Sequence, residues 1–279
     1  MKSHVVQDGR TRLMGILNLT PDSFSDGGRF TEVETAVQHG LALLAAGAEV
    51  LDLGGESTRP GHDPVDAGEQ CRRVIPTLTA LRERTDAVIS VDTTLRAVAE
   101  AALDAGADWI NDTTAFRGDP SLADLCAERG CPVVLMIRTE PAREEGSEPS
   151  GRALITALRD RMRVAADGAE RRGIDRDRIV LDPGVGFGLA ARDNVDVHAF
   201  VDDLRSLGYP LLVGASRKRF LGHLTGRPTE ERVYATAAST AALALCGVEF
   251  LRVHDVAPMR DVVAVCQAIR ERRVEEVAS

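Results

Sequence analysis

Residues 45–53 read Ala-Ala-Gly-Ala-Glu-Val-Leu-Asp-Leu, and the same grammar returns at 104–112 (Asp-Ala-Gly-Ala-Asp-Trp-Ile-Asn-Asp) and at 245–253 (Leu-Cys-Gly-Val-Glu-Phe-Leu-Arg-Val). Each copy closes a helical stretch on a glycine, the usual residue just past a helix C-terminus. A short apolar run follows within two or three residues, with polar groups near its far end. Working outward, such runs recur at 13–18, 48–53, 87–92, 108–112, 132–137, 178–182, 210–214 and 250–254. Their apolarity is continuous rather than alternating, as in strands buried on both faces of a parallel sheet. Helical periodicity fills 31–46, 67–84, 95–105, 119–129, 151–172, 195–207, 229–246 and 257–273. Eight such units predict an α/β protein, a (β/α)8 TIM barrel in one domain over 1–279 with its core at about 12–273. A doubly wound open sheet is the rival; the count of eight and the lack of Gly-x-Gly-x-x-Gly after the first run favour the barrel.

The 279 residues carry a net charge of −9 and are 44% hydrophobic. An acidic chain of this kind has no basic surplus for nucleic-acid phosphates. It can still bind a small anion through a few concentrated cations. The five cysteines form no Cys-x-x-Cys pair, which fits reduced thiols in a cytoplasm. No apolar run reaches membrane-spanning length, and the first residues lack a signal-peptide core. Residues 138–150, charged and rich in Pro, Gly and Ser, read as a long loop after the fifth strand, either a lid or a solvated excursion.

A barrel collects all eight strand tips on one face. In order they offer Asn18; Asp52 and the loop 54–61; Asp92; Asn111 with Asp112; Met136; Asp182 and the loop 183–188; Gly214 to Lys218; and Arg252 to Asp255. Any one polar tip could be a helix cap or a satisfied core group; convergence of nearly all of them points to a site. Asp92, Asn111, Asp182 and Lys218 suit a flat heterocycle with amide-like and amino edges, and Met136 and Phe187 suit its apolar walls. The alternative for the two aspartates is a salt bridge to Lys218. Arg59, Arg252 and His254 form a cationic set suited to phosphate oxygens. Asn18 offers a neutral oxygen for a Mg²⁺ ion that keeps most of its waters.

These residues, in this order, resemble the dihydropteroate synthase family, the folate-pathway enzymes that sulfonamide drugs target. The resemblance rests on Met14-Gly-Ile-Leu-Asn-Leu-Thr-Pro-Asp-Ser-Phe-Ser-Asp-Gly-Gly28 and Asp52-Leu-Gly-Gly-Glu-Ser-Thr-Arg-Pro-Gly61. Ser90-Val-Asp-Thr93, Ile110-Asn-Asp112, Leu181-Asp-Pro-Gly-Val-Gly-Phe-Gly188, Gly214-Ala-Ser-Arg-Lys218 and Arg252-Val-His-Asp255 complete it. It implies a transferase that joins 6-hydroxymethyl-7,8-dihydropterin diphosphate to 4-aminobenzoate with Mg²⁺, acting as a homodimer on small molecules. It implies that Asp92, Asn111, Met136, Asp182, Gly214 and Lys218 hold the pterin. Asn18, Thr58, Arg59, Arg252 and His254 would hold diphosphate and metal, and Thr58, Pro60, Phe187, Ser216 and Lys218 would border the aminobenzoate. Asp92, Asp182, Lys218 and Arg252 are the residues it makes catalytic. Four features depart from the family pattern: Ile137 replaces a His after Met136, Leu189 replaces a Lys after Gly188, a Thr-Thr-Ala-Phe-Arg-Gly run follows the Asn-Asp pair at 113–118, and the strand-five loop lacks the usual Gly- or Gln-containing start. A weak or inactive pterin-binding paralogue and a pterin-dependent methyltransferase domain are the competing readings; the latter has no need of Arg59, Arg252 and His254.

Overall fold

A computed structural model describes residues 5, 8–20, 29–56, 64–139 and 150–272, with backbone only at 29–31. Eight parallel strands lie in the order β6-β5-β4-β3-β2-β1-β8-β7. They are β1 (Arg12–Asn18), β2 (Val50–Gly54), β3 (Val88–Asp92), β4 (Trp109–Asp112), β5 (Val133–Met136), β6 (Ile179–Asp182), β7 (Leu212–Val213) and β8 (Phe250–Val253). The two ends of this order meet through the parallel bridge Leu181↔Leu211, where Leu181 N–H donates to Pro210 O at 2.9 Å. The open-sheet alternative is thereby excluded.

Outside the ring run α1 (Arg29–Ala45), α2 (Ala67–Arg82), α3 (Arg96–Asp104), α4 (Ser121–Arg129) and α5 (Arg152–Arg171). They are followed by α6 (Ala191–Ala199), α7 (Val201–Arg205), α8 (Arg219–Thr225), α9 (Val233–Leu245) and α10 (Val256–Glu271). Three differences from the sequence reading have local causes. The helix expected over 195–207 starts earlier, where Asp193 accepts from Ala190 N–H, and divides at Phe200, whose φ of −120° leaves the helical range. The strand expected over 210–214 keeps two residues, because Pro210 has no N–H to pair and a turn follows Val213. The helix α8 was not anticipated, since seven residues with a central Gly222 show no periodicity. The repeated glycine does what the grammar required: Gly47, Gly106 and Gly247 adopt φ of +112°, +100° and +77°, the left-handed stop of a helix.

Two apolar layers follow from the strand period of two. Leu13, Leu51, Leu53, Ile89, Val91, Ile110, Val133, Leu135, Ile179, Leu181, Val213, Leu251 and their neighbours face the helices in one large core. Met14, Val50, Val88, Trp109, Val134, Val180, Leu212 and Phe250, one from each strand, face inward and pack with Val5 beneath them. Trp109 and Phe250 meet edge to face at 5.3 Å between centroids. This inner layer closes the barrel and fixes which residues of each strand point up its axis. Trp109→Ala is expected to remove about 3–5 kcal/mol of stability, measured by denaturant unfolding.

Candidate active site

Two residues beyond each member of the inner layer, the same inward face brings up Ile16, Asp52, Ser90, Asn111, Met136, Asp182, Gly214 and Arg252. Asn18, Asp92 and His254 come two residues further on. One cavity at this end is lined by Asp92, Asn111, Thr113, Met136, Asp182, Val185, Phe187, Gly214, Lys218 and Arg252. Eight of these are sequence-predicted site residues; Thr113 and Val185 are additions. Ser216 and His254 sit side by side, with Ser216 Oγ 3.1 Å from His254 Nδ1. Asn18 lies exposed at the tip of β1. Its register neighbour Gly54 in turn pairs with Asp92, so a residue without a side chain separates the carboxamide from the carboxylate. Thr58, Arg59 and Pro60 lie outside the described residues, as do 140–149 of the predicted loop.

The centre of the site is Arg252. Its Nε donates to Asp52 at 2.6 Å and its Nη2 to Asp92 at 3.2 Å. Asp52, fully buried, also accepts from Asn111 Nδ2 at 3.1 Å. Asp52 thus holds a donor from each expected binding set, and sequence reasoning passed over it as a site residue. The signal was present: Asp52 stands two residues past Val50, on the inward face. The alternative of a salt bridge from the two aspartates to Lys218 is not what forms: Asp92 pairs with Arg252. Instead Lys218 Nζ lies over the Phe187 ring, 3.8 Å from its centroid. Gly186 makes room, because a Cβ there would come within 2.7 Å of Lys218 Cδ. Arg252, expected among the phosphate-binding cations, lines the same cavity as Asp92, Asn111, Asp182 and Lys218. Asp112, the other polar tip of β4, turns away to cap the following loop, accepting from Thr114 and Phe116 backbone N–H.

Burial dominates the electrostatics. Desolvation pushes Asp92 up to about 7 against the pull of Arg252. It pushes Asp182 up to about 6, opposed by the Gly184 N–H bond and Lys218. Lys218 falls to about 8 through desolvation and the nearby guanidinium. His254 falls to about 4 for the same two reasons, so with no bound anion beside it the imidazole is uncharged at neutral pH, where the sequence alone suggests a cation. The cavity sets the carboxyl groups of Asp92 and Asp182 against Arg252 and Lys218, and Arg252 is already paired from beneath by buried Asp52. That surplus of acceptors fits a ring rich in N–H groups that gains positive charge.

The flanks of the segment 57–63 are tied to this site. Buried Gln70 of α2 donates to Glu56 Oε2 at 2.7 Å and to Val65 O at 3.0 Å, and accepts from Thr93 Oγ1 at 3.0 Å. The chain on either side of that segment is thereby held against the residue that follows Asp92.

A polar, acid-rich cup of this kind in the mouth of a (β/α)8 barrel defines a pterin-binding enzyme, and the family described as "Pterin binding enzyme" matches residues 14–254. A dihydropteroate synthase of Synechocystis sp. is 40% identical over 93% of this chain and 90% of its own length. The Xanthomonas albilineans dihydropteroate synthase, solved with 4-aminobenzoic acid, has a TM-score of 0.86 at 45% identity, covering 94% of this chain and 93% of that one. Solved in complex with 7,8-dihydropteroate, it has a TM-score of 0.85 at 42% identity over 95% of each chain. The chain belongs to the dihydropteroate synthase family of pterin-binding enzymes.

Asp52→Ala is expected to leave a buried guanidinium without its closest partner. The loss should be about 3–5 kcal/mol of stability in denaturant unfolding, with weakened pterin binding. Raised carboxyl values mean that Asp92 and Asp182 hold protons, and lose acceptor strength, as pH falls below about 7 and about 6. A lowered ammonium value means that Lys218 loses its charge above about 8. Calorimetric pterin binding should therefore trace a bell between these limits, with apparent values belonging to the coupled set.

Proposed function

We propose that this protein joins 6-hydroxymethyl-7,8-dihydropterin diphosphate to 4-aminobenzoate, releasing diphosphate and forming 7,8-dihydropteroate. The observation that carries this reading is the convergence of Asp92, Asn111, Asp182, Lys218 and Arg252 on one cavity. The named activity of the relatives and the aminobenzoate and dihydropteroate bound to the Xanthomonas enzyme support it.

Asp92, Asp182 and Asn111 hold the polar edge of the pterin, with Met136, Val185 and Phe187 as apolar walls. Lys218 donates to the ring. The C–O bond at the pterin methylene breaks first, and its electron pair leaves with diphosphate. The cation that remains is stabilised by the surplus of carboxyl groups, while Arg252 faces the developing negative charge. The arylamine nitrogen then forms the C–N bond and sheds a proton. An aromatic amine is uncharged at neutral pH, so the step needs no strong base, and uncharged His254 suits a hydrogen-bonding role at the rim. Arg59 and Thr58, by resemblance, complete the diphosphate contacts.

Mg²⁺ belongs to the same proposal. Among the described residues no three His, Cys, Asp or Glu side chains gather to hold an ion. The exposed carboxamide of Asn18 fits an ion held mainly by water and substrate phosphates. When bound, such an ion would neutralise charge on the leaving diphosphate. A homodimer in the cytoplasm completes the reading, supported by the exposed Leu224, Tyr234 and Leu245 on α8 and α9 and by five free thiols.

Ile137 and Leu189 pack in the outer core and not on the cavity, whereas Thr113, which opens the 113–118 run, lines it. Diphosphate release that requires both substrates is the deciding assay; release by neither, or methyl transfer from a folate, would overturn the reading. Asp92→Asn should reduce turnover by about two orders of magnitude, with near wild-type turnover counting against the role given to Asp92.

A further inference from the structure

The loop after β7 contains a backbone outlier that the reaction as described does not use. Arg217 has a φ of +57° in the turn closed by Lys218 N–H donating to Ala215 O at 3.2 Å. The third position of such a turn with positive φ ordinarily holds glycine or asparagine. Arginine persists there only where its surroundings over-determine it, and here they do. Asp255 takes the guanidinium through two bonds, Nε to Oδ2 at 2.9 Å and Nη2 to Oδ1 at 2.5 Å. Thr236 Oγ1 of α9 accepts from Arg217 N–H at 3.1 Å. Arg232 Nη1 donates to Arg217 O at 3.0 Å. Gly222 of α8 exists in part for this last bond, because a Cβ there would fall within 2.3 Å of the Arg232 guanidinium.

The neighbours of Arg217 explain why the outlier is kept. Ser216, before it, accepts from His254 N–H at 3.2 Å and meets His254 Nδ1 at 3.1 Å. Lys218, after it, reaches over Phe187 into the cavity. Asp255 directly follows His254. One ion pair therefore binds the loop after β7 to the loop after β8, with a site residue adjacent to each of its members.

We infer that Arg217 and Asp255 are positioning residues: their bidentate pair holds a left-handed turn that sets Ser216 against His254 and Lys218 over the ring-binding cavity. The kinetic part of this inference rests on the function proposed above; the geometric part does not. The side chain supplies the clamp and the backbone supplies the turn, and two substitutions separate them. Arg217→Ala removes the clamp and keeps the cost of positive φ, whereas Arg217→Gly removes the clamp and makes that φ free.

The experiment compares wild type, Arg217→Ala, Arg217→Gly and Asp255→Ala by thermal unfolding, by kcat/KM for diphosphate release, and by the substrate-free NMR signals of the His254 imidazole. Displacement of a reacting group by about 1 Å costs about 100-fold in rate, so Arg217→Ala and Asp255→Ala should lose about that much in kcat/KM while remaining folded. Arg217→Gly should recover part of the loss, and its His254 signals should lie nearer to wild type than those of Arg217→Ala. A purely structural role would lower the unfolding temperature and leave kcat/KM and the His254 signals unchanged, which overturns the inference. Equal losses in the Ala and Gly variants overturn it too. If the wild type releases no diphosphate, the proposed function falls, and the His254 signals alone decide the positioning role.

Discussion

A guanidinium inside the mouth of a barrel has given up most of its water, and that loss must be met by counter-charge at short range. Arg252 meets it with Asp52 at 2.6 Å and Asp92 at 3.2 Å. The rest of the site is arranged around this triad. Asp52 is fixed in turn by Asn111, so two side chains that line the cavity, Asn111 and Arg252, share one anchor. The dry surroundings that make the triad necessary also raise the carboxyl groups of Asp92 and Asp182 and lower Lys218. The pairing of Arg252 and the shifted protonation of its neighbours thus arise from the same scarcity of water.

Much of the barrel was legible because burial on both faces leaves a simple trace, a run of aliphatic residues ended by something polar. Val50-Leu-Asp-Leu and Phe250-Leu-Arg-Val show the run, the period of two and the functional residue together. What escaped did so for local reasons. Helix α8 hides behind Gly222, whose missing side chain makes space for an arginine from another element, a demand that no window of sequence displays. His254 reads as a cation beside Arg252 in one dimension. In three dimensions, the proximity of Arg252 is part of what keeps it uncharged. Asp52 was visible as a strand tip, but its bond to a residue 200 positions away belongs to the closed ring and not to its neighbours.

The opposite end of the barrel is built from the same residue type put to another use. Arg82 bonds Gly106 O at 3.0 Å, Ala87 O at 2.9 Å and Asp108 at 2.5 Å. Arg178 reaches Gly130 O at 2.6 Å and Arg176 reaches Leu207 O at 3.0 Å. Each lies across a turn that leads into a strand, satisfying carbonyls that a helix end leaves open. Arginine therefore locks the turns at one face and lines the cavity at the other, and the inner apolar layer keeps the two apart.

That layer has a topological effect as well. With Trp109 braced against Phe250 and Val5 underneath, the inner layer fills the axis among the described residues, and the cup has a packed floor. Whatever settles on its floor can leave only by the way it came, and a molecule arriving later becomes the stopper of the one before.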